Sequence, residues 1–167
     1  MIVVSSPQIE VEPPPGWRID EALEALVVVA EPASSDGFVA NAIVVCDRVR
    51  SDAALEELVG ANLAQLQSVC TKVVVRHSGG GDGYLDRVLE LERDALSLVQ
   101  YQRFLLYPSG VTNKVHWLLQ IQASCLSAKE AAYGEVFGHF VSSAIITPPK
   151  PADEASATTA TTIGGTP

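Results

Sequence analysis

Positive charge is scarce in this chain. Eleven lysines and arginines face twenty aspartates and glutamates, a formal net charge of −9 over 167 residues and an isoelectric point near 4.7. Nucleic acids and anionic membrane surfaces are held by clustered Lys and Arg, so this balance argues against both as partners. Cysteine is scarce too. Cys46, Cys70 and Cys125 are odd in number and far apart, with no Cys-x-x-Cys, which argues against a zinc ribbon or a redox pair. All three lie in apolar or strand-like surroundings, where a thiol acts as a small hydrophobe. Buried structural cysteines in a reducing compartment are the expectation. No apolar run approaches the ~20 residues of a membrane span. Met1 to Val11 has neither the basic start nor the apolar core of a signal peptide. A soluble, cytoplasmic protein is expected.

Catalytic signatures are missing as well. There is no Gly-x-Ser-x-Gly, no His-Glu-x-x-His and no local Cys-His pairing, and His77, His116 and His139 are scattered. The run Gly79, Gly80, Gly81 and Gly83 is not followed by the Lys-Ser/Thr of a phosphate loop and misses the dinucleotide fingerprint, so it reads as a flexible hairpin loop. Asp86, Glu90 and Glu92 share one strand face, the pattern of solvated charge. The expectation is a protein that is not an enzyme and has no cofactor and no metal.

What is there is a long β-hairpin from Ser97 to Ser124. In its second arm Val115, Trp117, Leu119, Ile121 and Ala123 point one way, and Lys114, His116, Gln120 and Gln122 the other, with Leu118 as the exception. Period two over this length is a strand signal. With a turn at Pro108-Ser109-Gly110, matching apolar faces puts Leu105 opposite Val115, Tyr101 opposite Leu119 and Arg103 opposite Trp117. A one-residue slip would mix the faces. Gln100, Gln102, His116, Gln120 and Gln122 are left on the second, polar face.

Around the hairpin, strands are expected at Gln8 to Glu12, Ala25 to Ala30, Val39 to Val49, Lys72 to Arg76 and Tyr84 to Arg93, with a helical turn in Asp20 to Leu26 and a loop over Glu31 to Phe38. The strand from Val39 is apolar on both faces, as a central strand covered on both sides would be. Leu55, Leu58, Val59, Leu63 and Leu66 form the stripe of a helix capped by Ser51 or Asp52. Tyr133, Val136, Phe137, Phe140 and Val141 mark a closing helix over Ser127 to Ser143, with Ser127 and Glu130 as a capping box. On that helix Gly134 and Gly138 suit a close approach to the sheet. Trp17 reads as a core anchor. Residues 148–167 are Pro, Ala and Thr without apolar period, a disordered tail by composition. One domain over residues 1–147 follows.

This order of elements implies an α+β fold: an antiparallel β-sheet of six to seven strands with helices packed on it. Pro15-Gly16-Trp17, the strand Asn41-Ala42-Ile43-Val44-Val45 with Asp47-Arg48, then Gln102, Gly110 and the helix Phe137 to Ser143 together resemble the PsbP-like (Mog/PsbP) fold family, in its actinobacterial LpqN/LpqT-like branch. The resemblance spans roughly residues 8 to 147 and implies an α/β/α sandwich. It also implies a non-catalytic role. Members include a Ran-binding nuclear transport factor, an extrinsic subunit of the oxygen-evolving complex and bacterial lipoproteins, and they act by binding proteins.

Two functions are weighed on these residues. In the first, the polar sheet face of Gln100, Gln102, His116, Gln120 and Gln122, with the nearby loop Glu31 to Phe38, binds another protein, and the acidic remainder steers basic partners toward it. The structural alternative is that this face is solvated or lies under the first helix. In the second, a helix–sheet cleft near Trp17, Arg103 and Trp117 holds a small ligand, with the arginine gripping an anion by charge and stacking. The same arginine otherwise snorkels to the core rim. A homo-oligomer through an edge strand such as Gln8 to Glu12 stays open.

Overall fold

The computed structural model describes residues 7–23, 25–32, 37–108 and 114–147. Seven strands form one antiparallel sheet in the order β2-β3-β4-β8-β7-β6-β5: β2 (Arg18–Ala22), β3 (Ala25–Ala30), β4 (Asn41–Arg50), β5 (Lys72–Gly81), β6 (Tyr84–Arg93), β7 (Leu96–Pro108) and β8 (Val115–Leu126). A small second sheet pairs β1 (Gln8–Glu10) with β9 (Ile145–Thr147). Helix α1 (Leu55–Val69) lies on one face of the large sheet and α2 (Glu130–Ser143) on the other. The α+β sandwich expected from the sequence is the fold observed.

The face under α2 carries the largest apolar cluster. Val29, Ala42, Val44, Leu119, Ile121, Ala123 and Cys125 meet Phe137, Phe140 and Val141, and every one of them is buried. Burial pushes the Cys125 thiol up to about 11. Cys46 and Cys70 are half-buried, so the expected burial is complete at one cysteine of the three. Trp17 anchors this core, edge-on to Tyr133 and Phe137 with 5.9 Å between ring centroids in each pair. Gly134 lets α2 approach closely, since a Cβ there would sit 2.9 Å from the Tyr101 hydroxyl. Gly138 has open space in the same position, so only the first of the two glycines has the expected role.

Several local expectations are corrected. Residues 18–22 are strand β2, not a helical turn: their side chains pair across to β3 and so follow the sheet. Helix α1 starts after Ala54 without a side-chain cap, because Asp52 is engaged by Arg50. The capping box does not form either. Ser127 bonds Ser97 at 2.9 Å and Glu130 is taken by Arg76, so residues 127–129 make a 3-10 turn before α2. Gly79–Gly81 continue β5, and the turn is Asp82-Gly83 alone, with Gly83 at φ +76°. Gly80 is needed there, since a Cβ would stand 2.5 Å from the Tyr84 carbonyl oxygen.

The hairpin pairs in a different register. Tyr101 lies opposite Ala123, Arg103 opposite Ile121 and Leu105 opposite Leu119, each four residues farther along β8 than expected. β7 runs on to Pro108 and β8 begins at Val115, so the connection is longer than a tight turn. An even shift keeps every side chain on its face, which is why the apolar pattern alone could not distinguish the two registers. The proposed turn residues Ser109 and Gly110, and the tail 148–167, lie outside the described residues.

Candidate functional site

The face under α1 is built differently. Reading along β6, Leu85 is followed by Arg87 and then by Leu89 and Leu91, all on this face. Along β7, Phe104 gives way to Gln102 and Gln100 and then to Leu98; along β8, Leu118 gives way to Gln120, Gln122 and Ser124 and then to Leu126. A polar belt therefore crosses three strands between two apolar clusters. Leu118 belongs to this face and packs with Val59 and Phe104. It is no exception to the alternation, since the apolar clusters simply flank the belt.

The belt starts at Arg87, 4% exposed, with its guanidinium 5.1 Å from the centre of the Phe104 ring. Among the described residues no carboxylate pairs with it. Arg87 donates through Nε and Nη2 to Gln102 Oε1 at 3.1 and 2.6 Å, through Nη2 to Asn62 Oδ1 at 2.7 Å, and through Nη1 to the Val59 carbonyl at 3.2 Å. Desolvation lowers its pKa, because a charged group is being held away from water. Gln102, 1% exposed, passes the chain on: its Nε2 donates to Gln100 Oε1 at 2.7 Å. Gln100 Nε2 in turn donates to Gln122 Oε1 at 3.3 Å and to Ser124 Oγ at 3.0 Å.

Helix α1 covers Arg87 and Gln102 and packs on Leu118 and Val49, but it leaves Gln120 and Gln122 of β8 and Val45 and Asp47 of β4 open. There a groove of about 710 Å³ opens between α1 and the sheet, with Gln120 and Gln122 on its floor, Asn62 and Gln65 on the helix side, and Asp47 and Arg93 at its edges. Gln120 Nε2 donates to Asp47 Oδ2 at 3.2 Å. The groove is much larger than a cavity of about 120 Å³ beneath α2, which His77, Asp86, Tyr101 and Arg103 line.

The six residues singled out in the sequence thus divide. Gln100, Gln102 and Gln122 form one bonded chain, and Gln120 lies beside it in the groove. His116 is on the same face, opposite Val49 and Pro108, with Nδ1 buried and unpartnered. Arg103 is not with them. Odd and even residues of β7 face opposite sides, so Arg103 lies under α2, bonded to both oxygens of Asp86 at 2.7 Å and stacked 5.2 Å from Tyr84. The Asp86 carboxylate beside it, chiefly by hydrogen bonding, raises its pKa. Trp17 sits at the Tyr133 end of α2 and Trp117 under Arg48, whereas Arg103 reaches the Ser142 carbonyl at the other end. Arg103 does line the cavity of about 120 Å³ between α2 and the sheet, but neither Trp17 nor Trp117 lines it with Arg103. Asp86 and Glu90 are ion-paired, with Arg103 and Arg76, and are not merely solvated charge.

Arg87, Asn62, Gln65 and Arg93 were missed. Arg87 carried a signal: it is the one charged residue in the Leu85, Leu89, Leu91 stripe of β6. Asn62 carried a weaker one, four residues from both Leu58 and Leu66 on the inner face of α1.

Neither the family models nor the curated proteins give a match to this chain. Its architecture does match solved structures, and they define its class: the chain has the PsbP-like fold. It is similar to LpqN of Mycobacterium tuberculosis, described as involved in cell envelope biogenesis, at a TM-score of 0.68 and 15% identity over 86% of this chain and 85% of that one. It is also similar to the cyanobacterial PsbP of Synechocystis, at 0.59 and 14% identity over 87% and 95%. A Pseudomonas aeruginosa protein of unknown function matches at 0.52 and 14% identity over 73% and 91%. At these identities the likeness is one of fold.

Proposed function

We propose that this chain is a non-catalytic binding module that engages another protein through the groove between α1 and strands β4 and β8. The observation that carries this reading is the polar belt. It buries Arg87, Gln102 and Ser124 at a cost in desolvation that an apolar core would not incur. It also delivers bonded, fixed amide groups to the floor of an open groove. Natural sequences depart from a plain apolar core chiefly at functional sites. The fold, shared with LpqN and PsbP, is compatible with this role. A cytoplasmic place of action belongs to the same proposal, and cell fractionation tests it against the envelope role described for LpqN. Among the described residues no helix is long and apolar enough to cross a membrane.

The test is capture of partners from lysate of the source organism with the full chain, with Gln122→Trp, which fills the groove, and with Arg103→Ala, which alters the opposite face. A stoichiometric partner held by the wild type and by Arg103→Ala but lost with Gln122→Trp supports the reading. A partner that survives Gln122→Trp, in a variant whose melting temperature is unchanged, overturns it. A second reading, a small molecule in the same groove, is favoured by its volume of about 710 Å³, which lies within the usual ~300–1,000 Å³ of ligand pockets. A metabolite screen by melting shift, repeated on Gln122→Trp, separates the two.

A further inference from the structure

The belt has a direction. Arginine can only donate hydrogen bonds, so Asn62 and Gln102 must turn their oxygens toward Arg87. Each following amide is then oriented by the one before it. Gln102 gives its N–H to the oxygen of Gln100, and Gln100 gives its N–H to the oxygen of Gln122. At the two ends of the chain, Asn62 and Gln122 line the groove and are bonded through their oxygens, and Asn62 Nδ2 and Gln122 Nε2 have no acceptor among the described residues. A buried positive charge stands behind them, and the Arg93 guanidinium edges the same groove, its Nε 3.3 Å from the exposed Asp94 carboxylate; the groove's own carboxylate, Asp47, is taken up by Gln120. Resting on the binding-module reading, we propose that the groove takes a carboxylate from a peptide segment of the partner, held by Arg93 and the amide N–H groups of Asn62 and Gln122.

The carboxylate supplies the counter-charge that Arg87 lacks. Charge-assisted hydrogen bonds of this kind are about twice as strong as neutral ones. A free small acid fits less well than a peptide, since Leu66 and Val69, the latter 53% exposed, leave an apolar wall beside the donors for neighbouring side chains to cover. The net charge of −9 acts at longer range, so the partner presents one acidic residue within a surface that is basic overall.

The test follows the side-chain amide resonances of Asn62 and Gln122 by ¹⁵N NMR in the full chain. The probes are the blocked pentapeptide Ala-Ala-Glu-Ala-Ala, its Gln and Lys counterparts, and glutarate. The Glu peptide is expected to shift both resonances saturably and to bind at least about tenfold tighter than the Gln peptide, a gap that Arg93→Gln closes. Asn62→Asp sharpens this further. The new carboxylate sits against Arg87, so the melting temperature should rise while the preference for the Glu peptide disappears. Equal binding of the Gln peptide, tighter binding of the Lys peptide, or no shift with any peptide overturns the carboxylate. Tighter binding of glutarate than of the Glu peptide overturns the peptide as its source. A partner still lost with Gln122→Trp in any of these cases leaves the binding-module reading standing by itself.

Discussion

Phe137 and Arg87 occupy comparable places, each pressed between one helix and the same sheet, in opposite chemical settings. Phe137 is fully buried among Trp17, Tyr101 and Tyr133, in a cluster that draws on β3, β4 and β8. Arg87 is nearly as buried but is held by four hydrogen bonds to neutral oxygens, between two smaller apolar clusters. Helix α2 buries Phe137, Phe140 and Val141, whereas α1 buries only Val59 among its own residues. The α2 face therefore carries most of the hydrophobic stabilisation. The α1 face trades some of that for oriented polar groups, and it is there that the sheet stays partly uncovered.

The comparison breaks first at Phe137. Phe137→Ala should cost about 3–5 kcal/mol in urea unfolding, from lost transfer energy and the cavity left among three aromatic rings. A loss near 1 kcal/mol would mean that the α2 face is not the main core. Arg87→Met comes next, at about 2–3 kcal/mol, because the oxygens of Gln102, Asn62 and Val59 lose their donor while buried. Arg87→Met combined with Gln102→Leu should recover part of that loss, since removing both sides of a buried polar contact is far less costly than removing one. If the single variant is neutral, the belt adds nothing to stability.

Arg103→Ala should cost about 1–2 kcal/mol, less than a fully buried ion pair because its side chain and that of Asp86 are 18% and 32% exposed. Groove binding, followed by the same NMR resonances, should not change, because Arg103 is on the other face. The smallest effects separate two helix glycines. Gly60→Ala meets nothing within 4 Å and should gain about 0.5–1 kcal/mol from helix propensity. Gly134→Ala should instead lose about as much, because its Cβ displaces the Tyr101 hydroxyl from its 3.3 Å bond to Glu130.

Much of the architecture is legible in the residues. β3 and β6 fall at the limits that their apolar runs and flanking turn residues mark, and the alternation in β8 assigns Leu119, Ile121 and Ala123 to one core. The stripes of α1 and α2 show which side of each helix turns inward. All of these are local patterns, set by the 3.6- and two-residue periods of helix and strand. The five polar residues on the second face of the hairpin were legible as a group for the same reason. Arg103, one position out of phase with Gln100 and Gln102, could be set on the other face by parity alone.

Other features depend on partners distant in sequence, and no local period encodes them. The hairpin register follows from where β7 and β8 end, since two registers differing by four residues satisfy the same face pattern. Whether Ser127 and Glu130 cap a helix is decided by Ser97 and Arg76, which compete for them from other strands. Most of all, the groove exists because α1 rests mainly over β5, β6 and β7 and leaves Gln120 and Gln122 of β8 and Val45 and Asp47 of β4 open on that side. The sequence by itself determined the strands, the helices and the face each residue takes, because these need only short-range geometry. The tertiary structure alone decided which polar residues meet, because Arg87, Asn62, Gln102 and Gln122 come together only when three strands and a helix have packed.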